Sequence, residues 1–137
     1  MAYYPRQPEA SEKTAGKRAV AYLNFMRNMK TLDKLWWHDN LYGYVQMINN
    51  EKKDGAPMQK LDGIITESHT LDGTDIDVVR DEVMSKWITA RQECGEDNSM
   101  LFVEDYRYCA VGLLNDVQNR KVYVTIALCS RRHPLVS

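Results

Sequence analysis

Apolar positions recur at three- and four-residue spacing in the first two thirds of the chain and then fall along extended segments. Met100–Ser130 reads as two strands joined by a polar turn. In the first strand, about Tyr106–Leu114, residues Tyr106, Tyr108, Ala110, Gly112 and Leu114 share one face, and Arg107, Cys109, Val111 and Leu113 share the other. In the second, about Lys121–Cys129, Val122, Val124, Ile126 and Leu128 oppose Tyr123, Thr125, Ala127 and Cys129. Both sides of both strands are largely apolar, which predicts a hairpin covered on both faces at the centre of a layered domain. Asn115-Asp116 and Asn119-Arg120 supply the turn chemistry. Gly112 marks a place where another group approaches the backbone closely.

Helical spacing dominates upstream. Residues 17–30 read as a first helix through Val20, Leu23 (with Phe25 or Met26 beside it) and Met29. A second runs from about Asp39 to Glu51 with Leu41, Tyr44 or Val45, and Ile48 on its buried side. Asp39 is placed to cap it, and Lys52-Lys53-Asp54-Gly55 ends it. Residues 54–74 are loop-rich, and Gly63-Ile64-Ile65-Thr66 reads as a buried strand or a tucked loop, followed by Glu67 and His69. A third helix opens at Thr74 or Asp75, with Asp77 completing a capping-box pattern, and buries Ile76, Val79, Val83 and Trp87. The expected organisation is an extended N-terminal arm at 1–16, a single domain at 17–130 and a C-terminal tail at 131–137.

Composition narrows the partners. The 137 residues carry 18 Lys+Arg against 19 Asp+Glu, a net charge of −1, so no direct nucleic-acid binding and no anionic-membrane binding is expected. No apolar run approaches the ~20 residues of a membrane span. The polar N-terminus lacks the apolar core of a signal peptide, so an intracellular or particle-associated protein is expected. Three cysteines are too few for a disulfide framework or a zinc site. Cys109 and Cys129 read as reduced core side chains, with a bridge between them as the alternative; Cys94, in an acidic loop, is a poor nucleophile.

Four motifs in order resemble the CAP superfamily (cysteine-rich secretory, antigen 5 and pathogenesis-related 1 proteins) in its bacterial single-domain form. Leu35-Trp36-Trp37-His38-Asp39-Asn40-Leu41 resembles the family's Leu-x-Trp-Asp-x-x-Leu, and Val78–Trp87 resembles a helix ending in a family tryptophan. Leu101–Leu113 resembles the family's Ile-Leu-Asn-x-x-Tyr-x-x-Ile-Gly-Val-Gly-Val, with Tyr106 at the tyrosine and Ala110-Val111-Gly112-Leu113 at the strand. Val122–Leu128 resembles the closing strand. The resemblance covers roughly residues 18–130 and implies an α+β fold: a three-layer α-β-α sandwich around a small antiparallel sheet. It also implies a cleft that in many family members holds two histidines and two acidic residues, sometimes with a divalent metal.

That tetrad is broken here. The stretch matching the family's Ser-Pro-Gly-His-Arg is Ile88-Thr89-Ala90-Arg91-Gln92, without histidine, and the Gly-Glu-Asn segment is at best Thr66-Glu67-Ser68. No metal and no cofactor are therefore expected. Glu67, His69 and His38 are the weak catalytic candidates for a hydrolase or metal-dependent enzyme in a remodelled cleft, a role that requires these groups, or Glu104, to converge. The favoured alternative is a polar loop histidine beside a carboxylate. No nucleophile elbow, P-loop or dinucleotide fingerprint occurs. The aromatics outnumber the interior places of so small a domain. One of Trp36 and Trp37 is expected to face outward, unless both lie half-buried against the first helix. Because CAP proteins are normally secreted, a version read as lacking an export signal implies another use. The expected function is a non-catalytic interaction or structural module, a subunit of a larger assembly such as a virion or other multi-subunit particle. Tyr3, Tyr4, Trp36 and Trp37 are the candidate partner contacts, and the arm and tail would reach neighbouring subunits.

Overall fold

The computed structural model describes residues 8–56, 61–93 and 106–136, with residues 87–93 described by their backbone alone. The elements run α1 (Ala10–Met29), β1 (Trp36–Trp37), α2 (Asp39–Asp54), β2 (Ile64–Asp72), α3 (Ile76–Glu93), β3 (Tyr108–Asp116), β4 (Lys121–Cys129) and a 3-10 turn at Pro134–Val136. The sheet order is β1-β3-β4-β2. The β3–β4 hairpin and the β2–β4 pair are antiparallel, while two-residue β1 pairs parallel to β3 through Trp36↔Tyr108 and Trp37↔Cys109. The sheet is thus mixed, with its antiparallel part in the centre.

Both faces of the hairpin are covered. On one side Val111, Leu113, Val124, Ile126 and Leu128 join Ala15, Ala19 and Leu23 of α1 and Val79, Val83 and Met84 of α3. On the other, Ala110, Ala127 and Cys129 meet Leu41, Tyr44, Val45 and Ile48 of α2. Val111 and Ile126 are both 0% exposed. The helices sit in two outer layers because each carries one apolar stripe and the central strands carry two apolar faces.

Several expectations are corrected. The arm does not extend to residue 16: α1 starts at Ala10, where Glu9 and Glu12 form a reciprocal capping box. Residues 1–7, including Tyr3 and Tyr4, lie outside the described residues, as do Cys94 and Glu104 and the side chain of Trp87. Phe25 and Met29 of α1 are exposed, and the buried stripe runs through Glu12, Ala15, Gly16, Ala19, Val20, Leu23 and Arg27. His38, not Asp39, caps α2, its Nδ1 accepting from the Asn40 N–H at 3.1 Å. Gly55 closes that helix in the left-handed conformation, φ 68°, as its position predicts. Asp75 caps α3 by accepting from the Asp77 and Val78 N–H groups. Of the two readings of the segment after Gly63, the strand holds, but it is the nine-residue β2, runs on through Glu67 and His69, and is buried only at Ile64. The tail is docked: Val136 is buried, Asn40 Nδ2 donates to the Leu135 carbonyl at 2.8 Å, and His133 Nε2 lies 2.7 Å from the Asp62 carbonyl.

Because β1 is only two residues long, β3 beyond Cys109 has no strand partner on that side among the described residues. The helices take over. The Glu12 carboxylate accepts from the Asn115 N–H at 2.7 Å, Gln46 Nε2 donates to the Leu113 carbonyl at 2.9 Å, and Gly16 lies directly against the Val111 carbonyl. Side chains of α1 and α2 thereby satisfy backbone groups that a longer edge strand would have paired.

Cys109 and Cys129 are unbridged and fully buried. Burial pushes the Cys109 thiol well above its ordinary range and the Cys129 thiol up to about 11. Both thiols should therefore stay unmodified by alkylating reagents in the native protein and react only on unfolding, as mass spectrometry would show. The neutral thiols also couple stability to pH. Above the ordinary thiol pKa the unfolded chain releases protons that the fold retains, so stability should decline from about pH 8.5 upward and keep falling to about pH 11. Urea titrations across that range check the slope against a Cys129→Ala variant.

Candidate functional site

Of the expected catalytic groups, Glu67 and His69 come together, His38 does not join them, and Glu104 lies outside the described residues. Glu67 and His69, two apart on β2, share a face, with Nε2 and Oε1 3.8 Å apart. They stand opposite Ile126 and Val124 of β4. His38 lies at the other edge of the sheet, with its ring edge-on to Tyr108 at 5.3 Å. β3 and β4 stand between, which separates the two edges by three inter-strand spacings, about 14 Å. That exceeds the ~3 Å reach of a hydrogen bond several-fold. Among the described residues no three His, Cys, Asp or Glu side chains gather where a metal ion could be held.

The surface feature that does assemble is aromatic and cationic, centred on β1. Its foundation is the connector after α1, which is pinned rather than loose. Asn24 brackets Leu35 with both amide atoms, donating to its carbonyl at 2.9 Å and accepting from its N–H at 2.8 Å. Arg27 Nε donates to the Asp33 carbonyl at 3.0 Å, and Leu35 is fully buried. Desolvation lowers the Arg27 pKa, with Asp33 acting in the opposite sense. Thr31, at φ 58°, makes the left-handed turn that ends the helix and sends the chain back.

The next residues are consequently displayed at fixed positions. Trp36 is 53% exposed, with Lys34 Nζ 4.6 Å from its ring centroid. Trp37 is half-buried. Its Nε1 donates to Asp39 at 3.0 Å, its ring packs on Tyr42 at 5.1 Å, and Lys17 lies 5.7 Å above it. The Trp37 N–H and then Lys13, 3.1 Å away, hold the Asp39 carboxyl below the usual carboxylate range. Two shallow grooves flank the tryptophans. One, about 320 Å³, is lined by Lys17, Val20, Asn24, Lys34 and Leu35, and the other, about 360 Å³, by Arg107, Tyr108 and Arg131. Of these cations, Arg107 faces an acid, Asp33, at 3.8 Å.

The expectation that one tryptophan faces outward matches this geometry. The pinning by Asn24 and Arg27 was missed, although polar residues near the apolar stripe of a helix were the available signal. Glu12 and Arg27 carry the same signal, at the i and i+15 positions of that stripe.

Three helices in two layers around a small mixed sheet, with a central apolar hairpin, form a CAP-like sandwich. No family sequence model matches the chain, and no curated protein matches it in sequence. Solved structures that share its fold include the following two. A cysteine-rich secretory protein from Staphylococcus aureus superposes with a TM-score of 0.52 at 13% identity, over 94% of this chain and 42% of that one. An outer surface protein from Borrelia burgdorferi superposes with a TM-score of 0.57 at 12% identity, over 93% of this chain and 99% of that one. The chain therefore spans under half the length of the staphylococcal protein and nearly all of the Borrelia protein. The likeness establishes the fold.

Proposed function

We propose that the protein is a non-catalytic CAP-like module that binds protein partners through the Trp36–Trp37 face, as a subunit of a larger assembly. The observation that carries this reading is Trp36, a large aromatic half in solvent on a segment fixed by Asn24 and Arg27, with Lys17, Lys34, Arg107 and Arg131 around it. Immobilised aromatics lose little entropy on binding and dominate interface energetics, and a cationic surround selects an acidic partner surface. The partner expected is a protein presenting an apolar socket rimmed by Asp and Glu.

The test is incorporation of Trp36→Ser into the native assembly, isolated through a tag on this chain. A central aromatic anchor contributes at least ~2 kcal/mol, so retention should drop about thirtyfold while the circular dichroism spectrum stays native. Undiminished incorporation would remove Trp36 from the interface. Lys34→Glu should slow association and reduce its salt dependence, measured by surface plasmon resonance against the isolated partner.

A further inference from the structure

The outer edge of β2 has the features of a strand that pairs with its own copy. Among the described residues β2 is the last strand in the sheet, and its nine residues pair with β4 from Ile64↔Cys129 to Asp72↔Lys121 without a bulge. Sheet edges that stay single are commonly blunted by charge, proline, a bulge or short length; β2 carries Glu67 and Asp72 but no lysine, no proline and no bulge, and it is nine residues long. Its sequence is also self-complementary about Ser68. Turned antiparallel on itself with Ser68 on a two-fold axis, it places Ile65 opposite Leu71, Thr66 opposite Thr70, and Glu67 opposite His69. Each is a favourable cross-strand combination: apolar with apolar, threonine with threonine, carboxylate with imidazole. Every pair occurs twice, as an isologous interface requires.

Register is discriminated as well. A slip by two residues one way sets Glu67 against Glu67, and the other way sets His69 against His69. Ile65 is 39% exposed, and it lies on the same face as Glu67, His69 and Leu71. With the axis perpendicular to the sheet, the α1 and α3 layers of both copies fall on one side and the α2 layers on the other.

We infer that a second copy of this chain docks along β2, with Ile65–Leu71 pairing antiparallel about Ser68 to give a two-fold dimer with a continuous eight-stranded sheet. The interface is at the opposite edge of the sheet from Trp36 and does not depend on the partner-binding reading.

Sedimentation equilibrium of the full chain from low-micromolar to near-millimolar concentration tests this, with three variants. Wild type should approach twice the protomer mass. His69→Glu sets two like-charge pairs across the axis and should raise the dimer dissociation constant by at least about tenfold. The exchanged double variant Glu67→His/His69→Glu restores every opposite pairing and should return dimerisation to near the wild-type value. Ile65→Lys, a change at an exposed position, should give a folded monomer. A wild-type chain that stays monomeric throughout would overturn the inference. So would a dimer indifferent to both His69→Glu and Ile65→Lys, or a double variant no better than the single one.

Discussion

Gly16→Ala should destabilise the protein by about 3 kcal/mol or more, and Gly16→Val should prevent cooperative folding. Intrinsic propensity argues the other way, because alanine in a helix interior is favoured over glycine by about 1 kcal/mol. Packing decides the sign. A Cβ built at Gly16 falls inside van der Waals contact with the Val111 carbonyl oxygen, and it also meets the Trp37 ring at 3.4 Å. The obstacle is the backbone of β3, fully buried at that point, so it cannot rotate aside. Relief would require lifting α1, which would pull Glu12 off the Asn115 N–H and loosen Ala15, Ala19 and Leu23. Gly43 provides the control. It lies inside α2 on the exposed side, and a Cβ there meets nothing within 4 Å. Gly43→Ala should therefore stabilise by up to about 1 kcal/mol. Urea denaturation of the two variants separates helix propensity from close packing. Equal shifts in the same direction would mean that α1 does not seat on β3 as described.

The second large effect is expected at Asn49, which is 0% exposed between α2 and the sheet. Its Oδ1 accepts from Thr125 Oγ1 at 2.6 Å, and its Nδ2 donates to the Gly112 carbonyl and to Gln46 Oε1, both at 3.0 Å. Gln46 continues the network to Tyr42 Oη at 3.0 Å and the Leu113 carbonyl, and Thr125 lies 2.8 Å from Ser68. Replacing Asn49 by leucine removes three of these bonds and leaves buried oxygens short of partners, at about 1–3 kcal/mol for each group left unsatisfied. The expected loss is about 3 kcal/mol. The arrangement also predicts coupling. Thr125→Val removes a hydroxyl that Asn49→Leu would strand, so the double variant should be less destabilised than the sum by about 1 kcal/mol. Strict additivity, measured by denaturant unfolding, would show that the two side chains act independently.

Gly112 joins these two predictions. Its missing side chain read as a close approach, and a Cβ there would meet Val45 Cγ2 at 2.8 Å and Gln46 Cδ at 3.1 Å. The approaching helix was not identifiable from the sequence. The two glycines do the same work from opposite sides, Gly16 admitting α1 to Val111 and Gly112 admitting α2 beside it. Only Gly112 was legible, because a glycine interrupts an apolar strand conspicuously and is unremarkable among the small residues Ala15, Gly16 and Ala19.

The candidate site divides along the same line. That a tryptophan faces outward followed from an excess of aromatics over interior places. That it is Trp36, backed by a fixed connector and ringed by cations from separate segments, required Lys17 of α1, Arg107 before β3 and Arg131 after β4 to be brought together. Glu67 and His69 illustrate the converse. Polar residues at Glu67–His69 read as loop because an edge strand buries little of its surface, so its alternation is faint. Their pairing with each other is a consequence of strand geometry, and their distance from His38 is a consequence of strand order.

Local periodicity by itself determined the doubly apolar β3–β4 hairpin, the buried stripe of α2, the buried Val79 and Val83 of α3, and the glycine that ends α2. These are choices between states of neighbouring residues, and side-chain pattern and backbone strain decide them before any distant contact forms. Only the tertiary structure decided that β1 runs parallel to β3, that α1 begins at Ala10 with Glu12 reaching Asn115, that Glu67 and His38 stand at opposite edges, and that the 131–136 segment seats against α2. Each of those depends on which segment arrives beside which, and the free energy involved appears only when both surfaces leave water together.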